Sequence, residues 1–258
     1  MSVNQLELKN ISKHFENRGN RLHVLDRINL TVAKGEFVSI IGPSGCGKST
    51  LFHIVGGLVA PDSGEVWIDG KPVTGQKGHI SYMPQQPALF PWRTIEDNVI
   101  MAREVAGWPK KEARAEARRW LAKVGLKGYE KAYPQVLSGG MQQRVAFIRA
   151  LLGPQELICL DEPFSALDAL TRMEMQRWLL NIWESNQRSV LFITHQIEEA
   201  LLLSDKVYLL SNKPAKILRQ IEVPFARPRR EALMSDPLFV EWKRDIYEQL
   251  RQELPSGM

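Results

Sequence analysis

Cysteine is scarce in this chain of 258 residues, and long apolar runs are absent. The two cysteines, Cys46 and Cys159, are too few for the disulfide framework of a small secreted domain, so we expect a reducing compartment. No stretch approaches the roughly 18 apolar residues that a membrane-spanning helix needs. The opening residues MSVNQLELKN contain no apolar core, which argues against a signal peptide. Any work at a membrane would therefore need a partner that spans it.

Neither sign of charge dominates, and no repeat or low-complexity tract is present. The formal net charge is +5, with 24% charged and 44% hydrophobic residues, which is typical of a globular protein with a full core. The mild basic excess suits a nucleotide or an anionic membrane surface as well as a nucleic acid. Composition therefore leaves the function open.

The densest chemical signal is GPSGCGKST at residues 42–50, directly after the apolar run FVSII. The pattern G-x-x-x-x-G-K-[ST] predicts a loop whose backbone wraps a phosphate, followed by a helix N-terminus that favours the same charge. We expect Lys48 to reach the β- and γ-phosphates and the Ser49 hydroxyl to ligate Mg²⁺. The alternative is a glycine-rich turn. The predicted nucleotide contacts are Gly42, Pro43, Ser44, Gly45, Cys46, Gly47, Lys48, Ser49 and Thr50.

A second signal is LICLDE at residues 157–162, an apolar strand that ends in two carboxylates. Asp161 at the strand tip can hold Mg²⁺ through water. Glu162 can orient or deprotonate an attacking water. The alternative is a helix cap, and Pro163 would support a turn there.

The third signal, LSGGMQQR at residues 137–144, opens a helical run. Alone, Ser-Gly-Gly before a helix is an N-cap with an open anion site. It resembles the signature sequence of ABC ATPases, and it lies in family order between the phosphate loop and LICLDE, with SALD following at 165–168. The resemblance covers residues 5 to about 212. Met141 replaces the usual glutamine, a change that leaves the Ser138, Gly139 and Gly140 contacts intact.

The resemblance implies further roles by position. Gln85 in YMPQQPALFPW matches the glutamine that touches Mg²⁺ and the attacking water, with Gln86 as the alternative. His195 in ITHQ matches the histidine that contacts the γ-phosphate, although an isolated histidine near a strand end is more often structural. Phe15 matches the aromatic residue that stacks on adenine.

The resemblance also implies a mechanism that needs two copies. The phosphate loop of one chain and the Ser138-Gly139-Gly140 segment of a second copy would enclose one ATP with Mg²⁺. ATP binding would close this homodimer, and hydrolysis at Glu162 would let it open, because the nucleotide binds the two states differently. Asp168 would lie at the dimer seam.

The alternation of strand and helix patterns predicts an α/β fold. The resemblance further implies that this fold is a P-loop NTPase (RecA-like) core with a β subdomain and a helical ABC-type insertion. The insertion is expected at about 89–152, within a domain of residues 1–222. The basic stretch 110–125 alternatively suggests nucleic-acid binding, but its interleaved glutamates favour a solvated helix face. Residues 223–258 are predicted as a linker and an amphipathic helix. Its apolar stripe would pack on the core or dock a partner: Phe239, Trp242, Ile246 and Leu250.

The resemblance implies a transporter motor on the cytoplasmic face of the inner membrane. The sequence is similar to ATPases of importers for nitrate, sulfonates, taurine or vitamin precursors. This similarity implies that a separate transmembrane permease and a solute-binding protein belong to the same complex. Leu89, Phe90 and Trp92 are predicted to line the permease groove, or else to be local core. The alternatives are an exporter or lipid-transport ATPase, an ABC ATPase acting on DNA or ribosomes, and a nucleotide-binding module without turnover. We expect no nucleic-acid partner.

Overall fold

The computed structural model describes residues 4–17 and 19–253, which form two sheets. The antiparallel sheet has the order β2-β1-β4-β5. Its strands are β1 (Asn4–Asn17), β2 (Asn20–Ala33), β4 (Ser63–Ile68) and β5 (Lys71–Pro72). The second sheet has the order β10-β9-β3-β8-β7-β6 and is parallel except for β10. Its strands are β3 (Phe37–Ile41), β6 (Ser81–Met83), β7 (Leu157–Asp161), β8 (Ser189–Ile193), β9 (Lys206–Leu210) and β10 (Ile217–Glu222).

The central parallel strands are buried along their whole length. Every residue of β3, β7, β8 and β9 is buried, because layers cover both faces of the sheet. The antiparallel sheet and α1 (Lys48–Val55) share one core, while α5 (Gly139–Leu151) and α6 (Ala169–Asn186) pack on the other side. The carboxyl ends of the parallel strands meet at one edge, where a doubly wound fold places its ligand.

The hairpin of β1 and β2 is much longer than the apolar pattern predicts. The sequence indicates strands only around Leu6–Leu8 and Ile28–Val32, whereas each observed strand has 14 residues. The additional residues are mostly polar, and register shifts interrupt their pairing. Asn10 and Arg27 adopt positive φ angles of 53° and 48° at these irregularities, which disrupts the alternation that the sequence would otherwise show.

The insertion is a small helical layer with its own core. Its helices are α2 (Ile95–Val99), α3 (Met101–Val105), α4 (Lys110–Lys123) and α5, with a 3₁₀ turn at Pro134–Val136. The predicted face of Ala117, Leu121 and Val124 is buried. Arg118 lies 2.5 Å from the buried carboxylate of Glu96, so part of the basic charge serves ion pairs within the layer.

The C-terminal segment is fixed to the core. The chain passes from β10 through a 3₁₀ turn (Glu231–Ser235) into α8 (Pro237–Gln252), which packs against α7 (Ile197–Leu203). Phe239 and Ile246 of the stripe are fully buried in this cluster. The guanidinium of Arg229 is buried and donates to the Phe225 and Leu201 carbonyls. Residues 223–236 are therefore a packed connection, and residues 254–258 of the predicted tail lie outside the described residues.

Among the residues that the structure describes, no helix combines the length and the apolar character that crossing a bilayer requires.

Candidate nucleotide-binding site

The loop between β3 and α1 has a backbone that strongly favours glycine. Gly45 and Gly47 have φ angles of 73° and 126°. A Cβ on Gly47 would lie 2.9 Å from a side-chain carbon of Val24, and one on Gly42 would lie 2.9 Å from Cβ of Leu210. The Cys46 side chain is buried beneath the loop, and this burial raises the pKa of its thiol. Cys46 therefore faces the core and can offer a ligand only its backbone.

The Lys48 side chain folds back onto the phosphate loop. Its Nζ donates to the carbonyl oxygens of Gly42 at 2.8 Å and Pro43 at 2.9 Å, and the residue is only 6% exposed. These neutral acceptors are weaker partners for an ammonium group than phosphate oxygens are. The cradle is thus formed and its cation is in place.

Asp161 lies at the end of β7 beside the first turn of α1. The residue is 3% exposed, and burial raises the pKa of its carboxyl group, opposed by a hydrogen bond with Ser49. Burial and the nearby Asp161 charge also raise the pKa of Tyr82. The Asp161 carboxylate, the Ser49 hydroxyl and the Gln85 amide oxygen are donors of the kind that Mg²⁺ prefers, and they would leave the remaining coordination positions to phosphate oxygens and water. No cluster of three His, Cys, Asp or Glu within the described residues could hold a metal.

Three polar side chains converge on the other side of the cleft. Gln85 Nε2 donates to Glu162 Oε2 at 3.0 Å, and His195 Nδ1 lies 3.5 Å from the same oxygen. Glu162 adopts a positive φ of 46°, and its amide donates to the Ile193 carbonyl at 3.0 Å. The hydrogen bond to the Ile193 carbonyl holds this strained backbone at the edge of the sheet. Backbone strain of this kind is common at functional sites.

The cleft has a volume of about 410 Å³ and brings together most of the predicted site. Its lining comes from the phosphate loop and from the three converging side chains: Ser44, Gly45, Gly47, Lys48, Ser49, Thr50, Gln85, Glu162 and His195. The site therefore has a phosphate cradle on one wall and a carboxylate, an amide and an imidazole on the other. This arrangement can bind a polyphosphate and activate a water beside it.

Gly42, Pro43, Cys46 and Asp161 support the cleft without lining it, and two further predicted groups also lie outside the lining, the Ser138-Gly139-Gly140 segment and Phe15. Ser138 and Gly139 begin α5 on an exposed surface, where Ser138 Oγ accepts from the Met141 amide at 3.4 Å. Phe15 on β1 is 38% exposed, and Lys13 Nζ lies 5.4 Å from its ring centre. Its sheet reaches the phosphate loop through Val24, the neighbour of Gly47. The lining of the cleft in a single chain does not include either group.

Sequence reasoning missed two sets of supporting contacts. Arg149 donates to the carbonyls of Pro87 and Ala88, just beyond Gln85, at 2.7 and 2.8 Å. Glu199 accepts from the Thr194 hydroxyl beside His195 at 2.5 Å. The Arg149 contacts join elements 61 and 62 residues apart in sequence, and the burial that lets Glu199 reach Thr194 depends on how α7 packs.

Comparison with known proteins gives a consistent result. The family described as ABC transporter matches residues 25–165. An uncharacterized ABC transporter ATP-binding protein of Methanocaldococcus jannaschii is 43% identical over 254 residues, covering 98% of this chain and 94% of that protein. The aliphatic sulfonates import ATP-binding protein SsuB of Bacillus cereus is 40% identical over 247 residues, covering 96% of both.

The structural comparison agrees with the sequence comparison. A dimeric ATP-binding cassette in a post-hydrolysis state, bound to ADP and Pi, superposes with a TM-score of 0.77. It is 31% identical to this chain, and the match covers 86% of this chain and all of that one. These findings confirm the predicted family and the predicted P-loop fold. The chain therefore belongs to the ATP-binding subunits of ABC transporters and is an ATPase of that family.

Proposed function

We propose that this ATPase drives the import of a small solute through a separate transmembrane permease. The observation that carries the proposal is the 40% identity, over nearly the whole chain, to an ATPase named for aliphatic sulfonate import. The solute class is then sulfonates or chemically related molecules such as taurine or nitrate, with a vitamin precursor as a further candidate. The protein would lie peripherally on the cytoplasmic face of the inner membrane, in a complex that includes a solute-binding protein.

A deletion strain tests the solute class. We expect loss of the gene to abolish growth when an alkanesulfonate is the sole sulfur source, while growth on sulfate stays normal. Parallel cultures with taurine as the sulfur source and with nitrate as the nitrogen source resolve the choice within the class. Normal growth on every one of these solutes would contradict the sulfonate, taurine and nitrate assignments and leave the vitamin precursor, an exporter or a non-transport ATPase.

Within the cleft, each residue has a role that its position supports. Lys48 would bind the β- and γ-phosphates of ATP, and the Ser49 hydroxyl with Asp161 would hold Mg²⁺, which neutralises phosphate charge. Glu162 would take the proton of the attacking water, which Gln85 orients. His195 would contact the γ-phosphate from the neighbouring strand end.

Lys48→Ala is expected to weaken ATP binding by about 10- to 100-fold, because a charge-assisted contact to phosphate contributes roughly 1.5–3 kcal/mol. Isothermal titration calorimetry with MgATP measures the effect. Lys34→Ala is the matched control, since Lys34 pairs with Asp69 at the surface, 2.8 Å away. Equal affinity in both variants would argue against the cradle role of Lys48.

We infer that the working unit is a homodimer with two composite sites. Ser138, Gly139 and Gly140 are exposed or half-exposed at the N-terminus of a 13-residue helix, where a γ-phosphate would meet free backbone amides. They lie outside the cleft lining of their own chain, which fits their use by a second copy. The related cassette with ADP and Pi is a dimer.

The permease would bind beside the loop that begins at Gln85. Trp92 is 71% exposed and its ring lies 5.3 Å from that of Phe90. The Asn98 side chain fixes this loop by accepting from the Phe90 amide at 2.7 Å and donating to the Phe90 carbonyl at 3.1 Å. Leu89 instead packs against two core clusters. Phe90 and Trp92 are therefore the better groove candidates, since a rigid, exposed aromatic side chain is a good anchor.

Trp92→Ala is expected to lower the yield of co-purified permease by at least about tenfold, as the loss of an aromatic anchor of roughly 2 kcal/mol implies. ATP affinity of the isolated chain should not change. Trp108→Ala is the control, because Trp108 is also exposed but stacks on Arg103 in the helical layer. Full permease yield with Trp92→Ala would refute the groove.

A further inference from the structure

The loop that carries His195 is held by a buried polar network rather than by His195 itself. The His195 side chain is 51% exposed and lies 3.5 Å from Glu162. By contrast, the preceding Thr194 is 2% exposed. The Thr194 hydroxyl donates to Glu199 Oε2 at 2.5 Å, and Thr194 Oγ1 itself accepts from the Gln196 amide at 3.0 Å. The residues on both sides of His195 are thus tied to one hydroxyl.

Glu199 connects this hydroxyl to two helices. It lies on α7, is 4% exposed, and its second oxygen accepts from Gln176 Nε2 of α6 at 3.0 Å. With the carboxylate ionised, both of its oxygens accept, one from the Thr194 hydroxyl and the other from the Gln176 amide. Burial raises the pKa of this carboxyl group, while the hydrogen bonds from Thr194 and Gln176 and the charge of Arg172 oppose the rise.

A buried carboxylate is costly unless its hydrogen bonds repay the desolvation. Glu199 is not among the residues that line the nucleotide cleft, so direct contact with ATP does not explain it. Its neighbour Glu198 shows the ordinary alternative, since it lies at the surface and pairs with Lys243 at 2.5 Å. What Glu199 does is to fix the Thr194 side chain.

We propose that Glu199 is a positioning residue for ATP hydrolysis, which acts by fixing Thr194 and so placing His195 against the γ-phosphate. The inference rests on the proposed role of His195. Displacing a reacting or charge-stabilising group by about 1 Å costs on the order of a hundredfold in rate. A half-exposed imidazole depends on its backbone for that precision.

Steady-state ATPase kinetics test the proposal with Glu199→Ala, Glu199→Gln and the control Glu198→Ala. We expect Glu199→Ala to lower kcat by about 10- to 100-fold with KM for ATP within about threefold, as when a supporting group is lost. Glu199→Gln should stay within about threefold of wild type, because its amide oxygen still accepts from Thr194 and Gln176 can turn its own amide. Glu198→Ala should match wild type.

A double-mutant cycle separates positioning from mere support of the fold. If Glu199 acts through His195, adding Glu199→Ala to His195→Ala should not lower kcat further, whereas independent effects would multiply. Multiplying losses, or a wild-type kcat in Glu199→Ala, would overturn the inference. Thermal melting monitors folding, and Thr194→Val, which removes only the hydroxyl, carries the same test if Glu199→Ala does not fold.

Different results would refute the positioning role of Glu199 and the proposed role of His195. A slow His195→Ala with a fully active Glu199→Ala would refute the positioning role alone. A fully active His195→Ala would refute the role of His195 in the proposed function, whatever Glu199→Ala does.

Discussion

Glu162→Gln is expected to lower kcat for ATP hydrolysis by at least about a hundredfold, the usual contribution of a general base. ATP affinity should stay within about threefold, because the new side chain has the same shape and the Glu162 carboxylate, an anion like the phosphates, makes no attractive ground-state contact with them that would be lost. Its amide oxygen can still accept from Gln85, as Glu162 Oε2 does at 3.0 Å. The positive φ of 46° at this position is backbone strain that both residues carry equally.

The Glu162→Gln variant is also expected to form a stable ATP-bound dimer. Because the γ-phosphate would bridge two chains, a variant that binds ATP without cleaving it should accumulate in the closed state. Size-exclusion chromatography with and without MgATP detects the shift from monomer to dimer. Glu156→Gln is the control, since Glu156 is exposed and precedes the first residue of β7, the strand that leads to Glu162. Turnover by Glu162→Gln at the wild-type rate would contradict the assignment of the base.

The nucleotide cleft could be predicted because its parts are local motifs on parallel strands. The glycines of residues 42–47 are required by positive φ and close packing, and such constraints leave a readable pattern. Asp161 is recognisable because β7 is an uninterrupted apolar run that ends in a carboxylate. Gln85 and His195 are assigned by resemblance alone, and they lie in the same site because the carboxyl ends of the parallel strands meet at one edge.

The supporting contacts could not be predicted, because they join elements that no local pattern connects. Arg149 stabilises the loop after Gln85 from 61 residues away, and Gln176 reaches Glu199 from a neighbouring helix. In the sequence, Arg149 is one more basic residue of α5 and Glu199 is one of two adjacent glutamates. Only the packing shows that Glu199 is buried while Glu198 faces solvent.

The packing of the C-terminal segment could not be predicted from the sequence either. The stripe on α8 allowed either core packing or partner docking, because a period of 3.6 identifies an apolar face but not its neighbour. The structure buries Phe239 and Ile246 against the protein's own α7 and β9. The prolines and basic residues of the segment 223–233 suggested a linker, and the structure buries one of those basic residues, Arg229, which donates to backbone carbonyls.

Ser138→Arg is expected to abolish ATP-dependent dimerisation and to lower turnover by at least about a hundredfold, as the loss of the phosphate-stabilising donors would. The exposed start of α5 accommodates a larger side chain within one chain, but in the proposed composite site that side chain would take the place of the γ-phosphate. ATP binding by the single chain should persist, because the phosphate loop is unchanged. Loss of the Ser138 cap costs only about 1 kcal/mol of stability, which the control Asp236→Arg reproduces at the distant N-cap of α8.

Mixing two inactive variants then tests the composite site directly. In a mixed dimer of Lys48→Ala and Ser138→Arg chains, one site carries both defects and the other carries neither. Half of the dimers are mixed and each has one intact site, so activity should return to about a quarter of the wild-type level if the sites act independently in a symmetric dimer. The two variants are assayed alone, after mixing, and against a mixture of Lys48→Ala with Asp236→Arg. No recovery on mixing, with a dimer still visible by chromatography, would mean that each chain builds its site alone.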